Sequence, residues 1–254
     1  MKLKTLSAIL GNIRMHRWGK CIVCGKPTIF VCTDKSSLRN SMECLLCRSS
    51  SRNRHVAQTL LTEVAREGRS LNDLRNKSRL AIYNTDRGGG LSRVLVGMSN
   101  YTCSGFFPEI TPGTMVEPGV YCQDLERLSF QDASFDVVIT EDVLEHVRHY
   151  QTALEEIHRV LKPGGCHIFT VPFFFDRPTL VRVDTTGEAD VNLLPPEYHG
   201  DSIRGRILAY RTLGFDLFGL LKSIGFETRV RVSCFADQKL GIFDSSVFFS
   251  WKVG

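Results

Sequence analysis

Residues 124–172 read DLERLSFQDASFDVVITEDVLEHVRHYQTALEEIHRVLKPGGCHIFTVP, and this stretch decides the fold. Phe135-Asp-Val-Val-Ile-Thr140 is a short β-branched run of the kind a parallel sheet buries on both faces. Val143, Leu144, Val147, Leu154, Ile157, Val160 and Leu161 then recur at helical spacing. Lys162-Pro-Gly-Gly165 stops that helix, because Pro cannot continue it and Gly accepts the left-handed cap. Cys166-His-Ile-Phe-Thr-Val171 reads as the next strand. Strand, helix and strand joined by a right-handed crossover form one half of an open α/β sheet. Glu141 and Asp142 stand at the end of the first strand, where such sheets bind ligands.

The wording DASFDVVITEDVLEHV (132–147), EIHRVLKPGG (156–165) and FTVP (169–172) resembles the centre of the class I S-adenosylmethionine (SAM)-dependent methyltransferases, type 11 in particular. The resemblance extends from Leu80 to the C-terminus. It implies an α/β fold with a seven-stranded, mostly parallel, doubly wound sheet and a reversed final hairpin. It also implies SAM as the cofactor.

The same resemblance assigns a cofactor site. Its first strand corresponds to Arg79–Tyr83, followed by Asn84-Thr-Asp-Arg-Gly-Gly-Gly90. The family has an acidic residue and G-x-G-x-G here; this chain offers Tyr83, Asn84, Thr85, Asp86, Gly88 and Gly89 instead. A glycine-rich turn lets backbone approach a ligand closely. After the second strand, Asn100–Gly105, a ribose-binding carboxylate is usual, and Glu109 is the nearest acid. After the third, Asp124 matches the acid that accepts from the adenine amino group, with Leu125 against the ring. Glu141 closes the set after the fourth strand.

Methyl transfer from a sulfonium is an in-line displacement, accelerated chiefly by proximity and alignment. A base is needed only where the acceptor must lose a proton. His146 and His199 are the candidate catalytic residues, since imidazole titrates near neutral pH. His199 belongs to Leu194-Pro-Pro-Glu-Tyr-His-Gly200, within an insertion over about 173–205 that reads as a lid. Glu197, Tyr198 and Arg204 in or beside it are candidate substrate contacts. For each, the plainer alternative is a lid whose polar groups bond one another. Phe215–Phe226 reads as an amphipathic helix, Thr228–Ser233 as an edge-like strand, and Ser246–Val253 as the last strand, whose aromatic residues pack in the core.

A separate signal lies in front. Cys21-x-x-Cys24 and Cys44-x-x-Cys47 have the spacing of a four-thiolate structural Zn²⁺ site, with Cys32 and His55 in reserve. Residues 20–50 hold too few large apolar groups for a core of their own, so metal binding supplies folding free energy. A helix follows from Arg52 to Glu67, capped by Ser50 or Ser51, with Val56, Leu60, Leu61 and Val64 on one face. Three segments result: a basic amphipathic stretch at 1–19, the zinc-ribbon-like module and basic helix at 20–78, and the SAM-dependent domain at 79–254. In the first, Leu3, Leu6, Ile9, Leu10 and Ile13 fall at helical spacing.

Charge divides the chain similarly. Residues 1–79 hold 16 basic residues against 5 acidic, and the remainder holds 16 against 22. The basic front fits a polyanion such as RNA, or a solvated face. No apolar run is long enough to span a membrane, and the nine cysteines fit reduced thiols and a metal. The expected setting is cytoplasmic. No Asn/Asp-Pro-Pro-aromatic tetrad and no Pro-Cys follows the fourth strand, which disfavours exocyclic base amines and pyrimidine carbons as acceptors. The leading expectation is a methyltransferase acting on an oxygen of a small-molecule or glycan acceptor. The alternatives are an RNA methyltransferase using the zinc module as a clamp, and a non-catalytic binding protein with a decayed SAM site.

Overall fold

The computed structural model describes residues 10–75, 78–201, 203–233 and 237–253. The apolar positions Leu3, Leu6 and Ile9 lie outside the described residues, while Leu10 and Ile13 are exposed. Two compact units emerge, one of residues 1–80, 88–101 and 230–248, the other of residues 81–87, 102–229 and 249–254.

In the first unit, β1 (Arg17–Lys20), β2 (Pro27–Val31) and β3 (Glu43–Cys44) form a three-stranded antiparallel sheet. Helix α1 (Ser51–Thr59) starts at a capping box in which Ser50 and Asn53 satisfy each other's backbone donors. The helix expected to run to Glu67 as one element passes instead into a π-helical stretch at Leu60–Ala65, closed by Arg66 at φ 53°. Short helices α2 (Leu71–Leu74) and α3 (Ser92–Leu95) complete the helical part. Gly90 is required by packing: a Cβ there would stand 2.5 Å from Ser49 Cα and 2.9 Å from Asn53 Oδ1.

The large sheet contains β4 (Ile82–Asn84), β5 (Tyr101–Gly105), β6 (Met115–Glu117), β7 (Val120–Cys122), β8 (Phe135–Glu141) and β9 (Leu161–Thr170). A set of short strands follows: β10 (Phe173–Phe174), β11 (Leu180–Val181), β12 (Val183–Asp184), β13 (Val191–Asn192), β14 (Tyr198–Asp201), β15 (Gly205–Leu208) and β16 (Arg211–Gly214). The last two strands of the large sheet are β17 (Phe226–Ser233) and β18 (Ser245–Lys252). Its order is β17-β18-β9-β8-β4-β5-β7-β6. Without β6, a short antiparallel edge strand beside β7, this is the expected seven-stranded arrangement with the last strand inserted before its predecessor. The pairs β4–β8, β8–β9 and β5–β7 are parallel. The chain leaves β4 for one side of the sheet and returns to its other side at β8, so the ligand crevice lies outside the carboxyl ends of these two strands.

The helix expected from Val143 to Leu161 divides. A 3₁₀ turn covers Leu144–His146, and helix α4 spans only Tyr150–Val160. Asp142 at φ 53° turns the chain as it leaves β8, and extended Val147 then breaks the helical path ahead of α4. At the other end α4 stops before Leu161, two residues ahead of Pro163, and β9 takes Lys162–Gly165 into the strand across an irregular register with β8. Helix α5 (Leu217–Ile224) closes on Gly225 at φ 107°, as a left-handed cap requires.

Candidate functional site

Two clusters of chemically active side chains stand out, one in each unit. In the first, Cys21, Cys24, Cys44 and Cys47 bring their sulfur atoms within 4.8 Å of one another. Cys21 Sγ lies 3.7 Å from Cys47 Sγ, and Cys24 Sγ lies 4.0 Å from Cys44 Sγ. A tetrahedron with 2.3 Å metal–sulfur bonds has edges of about 3.8 Å, so the four thiols fit a Zn²⁺ ion. The Leu46 amide donates to Cys44 Sγ at 3.4 Å, a contact that orients a thiolate ligand. Burial, reinforced by the neighbouring sulfurs, pushes the Cys24 thiol up to about 11, so ionising the whole set calls for a cation.

Arg54 is the counterpart that sequence reasoning missed. Although it belongs to the basic front, it is fully buried. Its guanidinium lies 4.1 Å above the Phe30 ring and donates to the carbonyls of Leu240, Ser49, Met42 and Gly241 at 2.5–2.8 Å. Burial lowers its pKa to about 10, opposed by the cysteine charges. No carboxylate pairs with it among the described residues. A buried cation of this kind suits a four-thiolate metal centre, whose net charge is −2. The spacing Arg54–Ala57–Leu61, on the apolar face of the helix, was the available signal.

The second cluster is built at the carboxyl end of β8. Glu145 and His146 project from the turn after the strand, and His199 reaches them from β14, 53 residues away. Their side chains are 0%, 4% and 33% exposed. His146 Nδ1 lies 2.7 Å from the Leu208 carbonyl oxygen, which can only accept, so the proton sits on Nδ1 and Nε2 presents its lone pair. His199 Nδ1 is 3.0 Å from that Nε2, and His199 Nε2 is 3.1 Å from Glu197 Oε1. Arg182 in turn pairs with Glu197. Glu145 Oε1 lies 3.7 Å from His146 Nε2 and 4.0 Å from His199 Nδ1. Burial lowers the pKa of His146, with the Leu208 carbonyl opposing.

The turn carrying Glu145 and His146 is clamped by Arg211, another buried cation absent from the sequence-based set. It donates to the carbonyls of Leu144, Val147 and Arg148 at 3.3, 2.5 and 2.8 Å, and its guanidinium stands 4.5 Å over the Tyr150 ring. The Tyr210 amide adds a bond to the Glu145 carbonyl at 2.9 Å. Segments 143–148 and 208–211 are thus stitched together through backbone, which sets the distance between the two histidines.

The other expected site residues fall at the strand ends with differing surroundings. Tyr83 is core: its ring packs on Phe130 and Phe135, its hydroxyl bonds Ser104 at 2.7 Å, and burial raises its pKa. A ligand could meet only its backbone. Asn84 ends β4, fully buried, and accepts from the Asp86 amide through Oδ1 at 3.2 Å. Thr85 donates its amide to the Ile139 carbonyl at 3.1 Å. Gly88 and Gly89 follow in the loop before α3. Asp124 lies beyond β7, where its Oδ1 accepts from the Glu126 amide at 2.9 Å; Leu125 beside it is buried. Glu141 is buried at the end of β8. Glu109 is exposed in a turn beyond β5. At the end of β5 itself, a Cβ on Gly105 would meet Ile203 Cδ1 at 2.5 Å, so the segment after β14 lies directly over this strand end. Arg204, paired with Asp201 at 3.7 Å, stands 5.4 Å over Phe106, and the exposed Tyr198 ring receives Arg206 at 4.9 Å.

Comparison with known proteins follows this geometry. Residues 109–169 match the family model described as "Methyltransferase domain". Dimethylglycine N-methyltransferase of Parasynechococcus marenigrum is 39% identical over 57 residues, 22% of this chain and 20% of that protein. The ubiquinone/menaquinone biosynthesis C-methyltransferase UbiE of Coxiella burnetii is 37% identical over 73 residues, 28% of each chain. Among solved structures, SAM-bound CalS10 of Micromonospora echinaspora, an amino pentose methyltransferase, is similar at TM-score 0.47 and 11% identity, over 80% of this chain and 94% of that one. These curated relatives are matched over less than a third of their length. No helix among the described residues is long and apolar enough to cross a membrane.

Proposed function

We propose that this chain, which carries a class I methyltransferase domain, transfers the methyl group of SAM to an oxygen of a small-molecule or glycan acceptor. The observation that carries the reading is the convergence of Glu145, His146 and His199 at the carboxyl end of β8, where sheets of this order bind ligands. SAM, when bound, supplies an electrophilic methyl group. Asn84, Thr85, Asp86, Asp124, Leu125 and Glu141, at or just beyond the ends of β4, β7 and β8, are the residues that would hold it. A hydroxyl acceptor must shed a proton, unlike an amine with a free lone pair. The His146–His199 pair, flanked by Glu145 and Glu197, is suited to draw off that proton. Ile203 lies over the β5 end and helps to exclude water. The four cysteines hold a structural Zn²⁺, which supplies folding free energy and takes no part in the transfer. The setting is cytoplasmic, where free thiols persist.

Calorimetric titration with SAM and its demethylated product tests the cofactor half. Micromolar binding, weakened in Asp124→Asn, is the expected result. Absence of binding at millimolar ligand would overturn the reading and leave a non-catalytic binding protein. The burial of Arg54 takes a basic side chain of the front out of reach of RNA, so the small-molecule or glycan acceptor is the reading kept.

A further inference from the structure

We infer that Glu145, His146 and His199 form a binding site for a divalent first-row cation of the Zn²⁺ or Co²⁺ kind. The site is distinct from the four-cysteine centre, with three protein donors and at least one open position. Three separations define the donors: 3.0 Å between His199 Nδ1 and His146 Nε2, 3.7 Å between His146 Nε2 and Glu145 Oε1, and 4.0 Å between His199 Nδ1 and Glu145 Oε1. The point equidistant from three atoms so placed lies about 2.1 Å from each, within the range a Zn²⁺ ion takes to imidazole nitrogen and carboxylate oxygen. No side chain has to move to bring the donors to that distance.

The outward-facing nitrogens agree. A metal-bound imidazole ordinarily donates its other N–H to a carbonyl or a carboxylate, which fixes the tautomer and raises its basicity. His146 does so through Nδ1 to the Leu208 carbonyl at 2.7 Å, and His199 through Nε2 to Glu197 at 3.1 Å, with Glu197 braced by Arg182. Both rings therefore turn their lone pairs toward the point that Glu145 also faces. The backbone around the donors is held by Arg211, so the spacing does not depend on loop conformation. Two imidazoles and one carboxylate suit a borderline cation and leave room for an oxygen ligand. An acceptor hydroxyl bound there would lose its proton to solvent more readily in the field of the ion, with the imidazoles then acting as ligands in place of bases. Cation binding itself stands whether or not the chain transfers methyl groups.

The test uses the full chain. Wild type, His199→Ala and Glu145→Gln are each equilibrated with one to three equivalents of Zn²⁺, freed of loose metal, and analysed for zinc per chain. Wild type is expected to retain one equivalent more than either variant. Zinc in the cysteine centre cancels in this difference. His199 is partly exposed on a short strand, so its truncation keeps the fold even if Glu145→Gln does not. Zn²⁺ beyond the first equivalent is expected to raise the melting temperature of wild type and leave that of His199→Ala unchanged. Equal zinc content in wild type and His199→Ala, with no difference in melting shift, would overturn the site. Because the readouts are metal content and melting, failure to bind SAM would not mimic that result.

Discussion

The two side-chain clusters of this protein are opposites in construction. The cysteine centre is short-range: its four thiols lie within 27 residues of one another, two of them buried and two half-buried, and close on themselves. The histidine centre is long-range, joining residues 53 apart, with one donor fully buried and another a third exposed. Each leans on a buried arginine that donates to backbone carbonyls, Arg54 in one case and Arg211 in the other. Four thiolates around one ion leave no position for a substrate, whereas two imidazoles and a carboxylate leave room for an oxygen. A closed site can be specified by local spacing, whereas an open one needs a scaffold to hold its donors apart.

Four experiments break or sharpen this contrast. The largest effect is expected from Cys44→Ser, which removes a ligand from the closed site. Zinc binding to such sites is worth roughly 10–16 kcal/mol in small domains, so zinc content should fall and the first unit should lose cooperative melting. A metal-free variant that still melts like wild type would show that the cysteines are ordinary core residues. Next comes Arg54→Met, which strips the buried counter-charge from the thiolates and removes the donor that Arg54 supplies to each of four carbonyls. A loss of about 3–5 kcal/mol in denaturant unfolding is expected. A loss below about 1 kcal/mol would mean that Arg54 carries no electrostatic load. For the open site, His199→Ala should lower turnover by about 10²–10⁴-fold while SAM affinity stays within about twofold. Unchanged turnover would reduce the cluster to a packing feature.

The smallest effect lies outside both clusters and calibrates them. His167, fully buried in β9, bonds Thr140 Oγ1 at 3.0 Å and stacks on Phe169, and burial depresses its pKa to about 3. The unfolded chain binds this proton below about pH 6.5, while the folded chain refuses it down to about pH 3. Stability should therefore fall as the pH drops through that window, by about 1.4 kcal/mol per unit from this group. His167→Gln should flatten the slope by that amount in acid unfolding curves. An unaltered slope would place the acid sensitivity in His146 or His55, both of which burial depresses, His55 to about 4.

The residues from Phe135 onward carry β8, α4, β9, α5, β17 and β18 in their local pattern, because β-branched runs, helical periodicity and the Pro-Gly-Gly stop are local properties, whereas the short strands β10–β16 arise from pairings between distant residues. The same holds for the convergence of Cys21, Cys24, Cys44 and Cys47, since two C-x-x-C turns carry their own geometry. His146 and His199 were legible as residue types suited to proton chemistry. Only the tertiary structure decided that they touch, because the contact depends on how the chain between β9 and β14 returns to the end of β8. It alone gave Glu145 a place beside them, divided the expected helix between His146 and Tyr150, and turned Tyr83 into the core. Arg54 and Arg211 mark that division most clearly. By composition an arginine belongs on the surface, and only a converging set of backbone carbonyls can hold one inside.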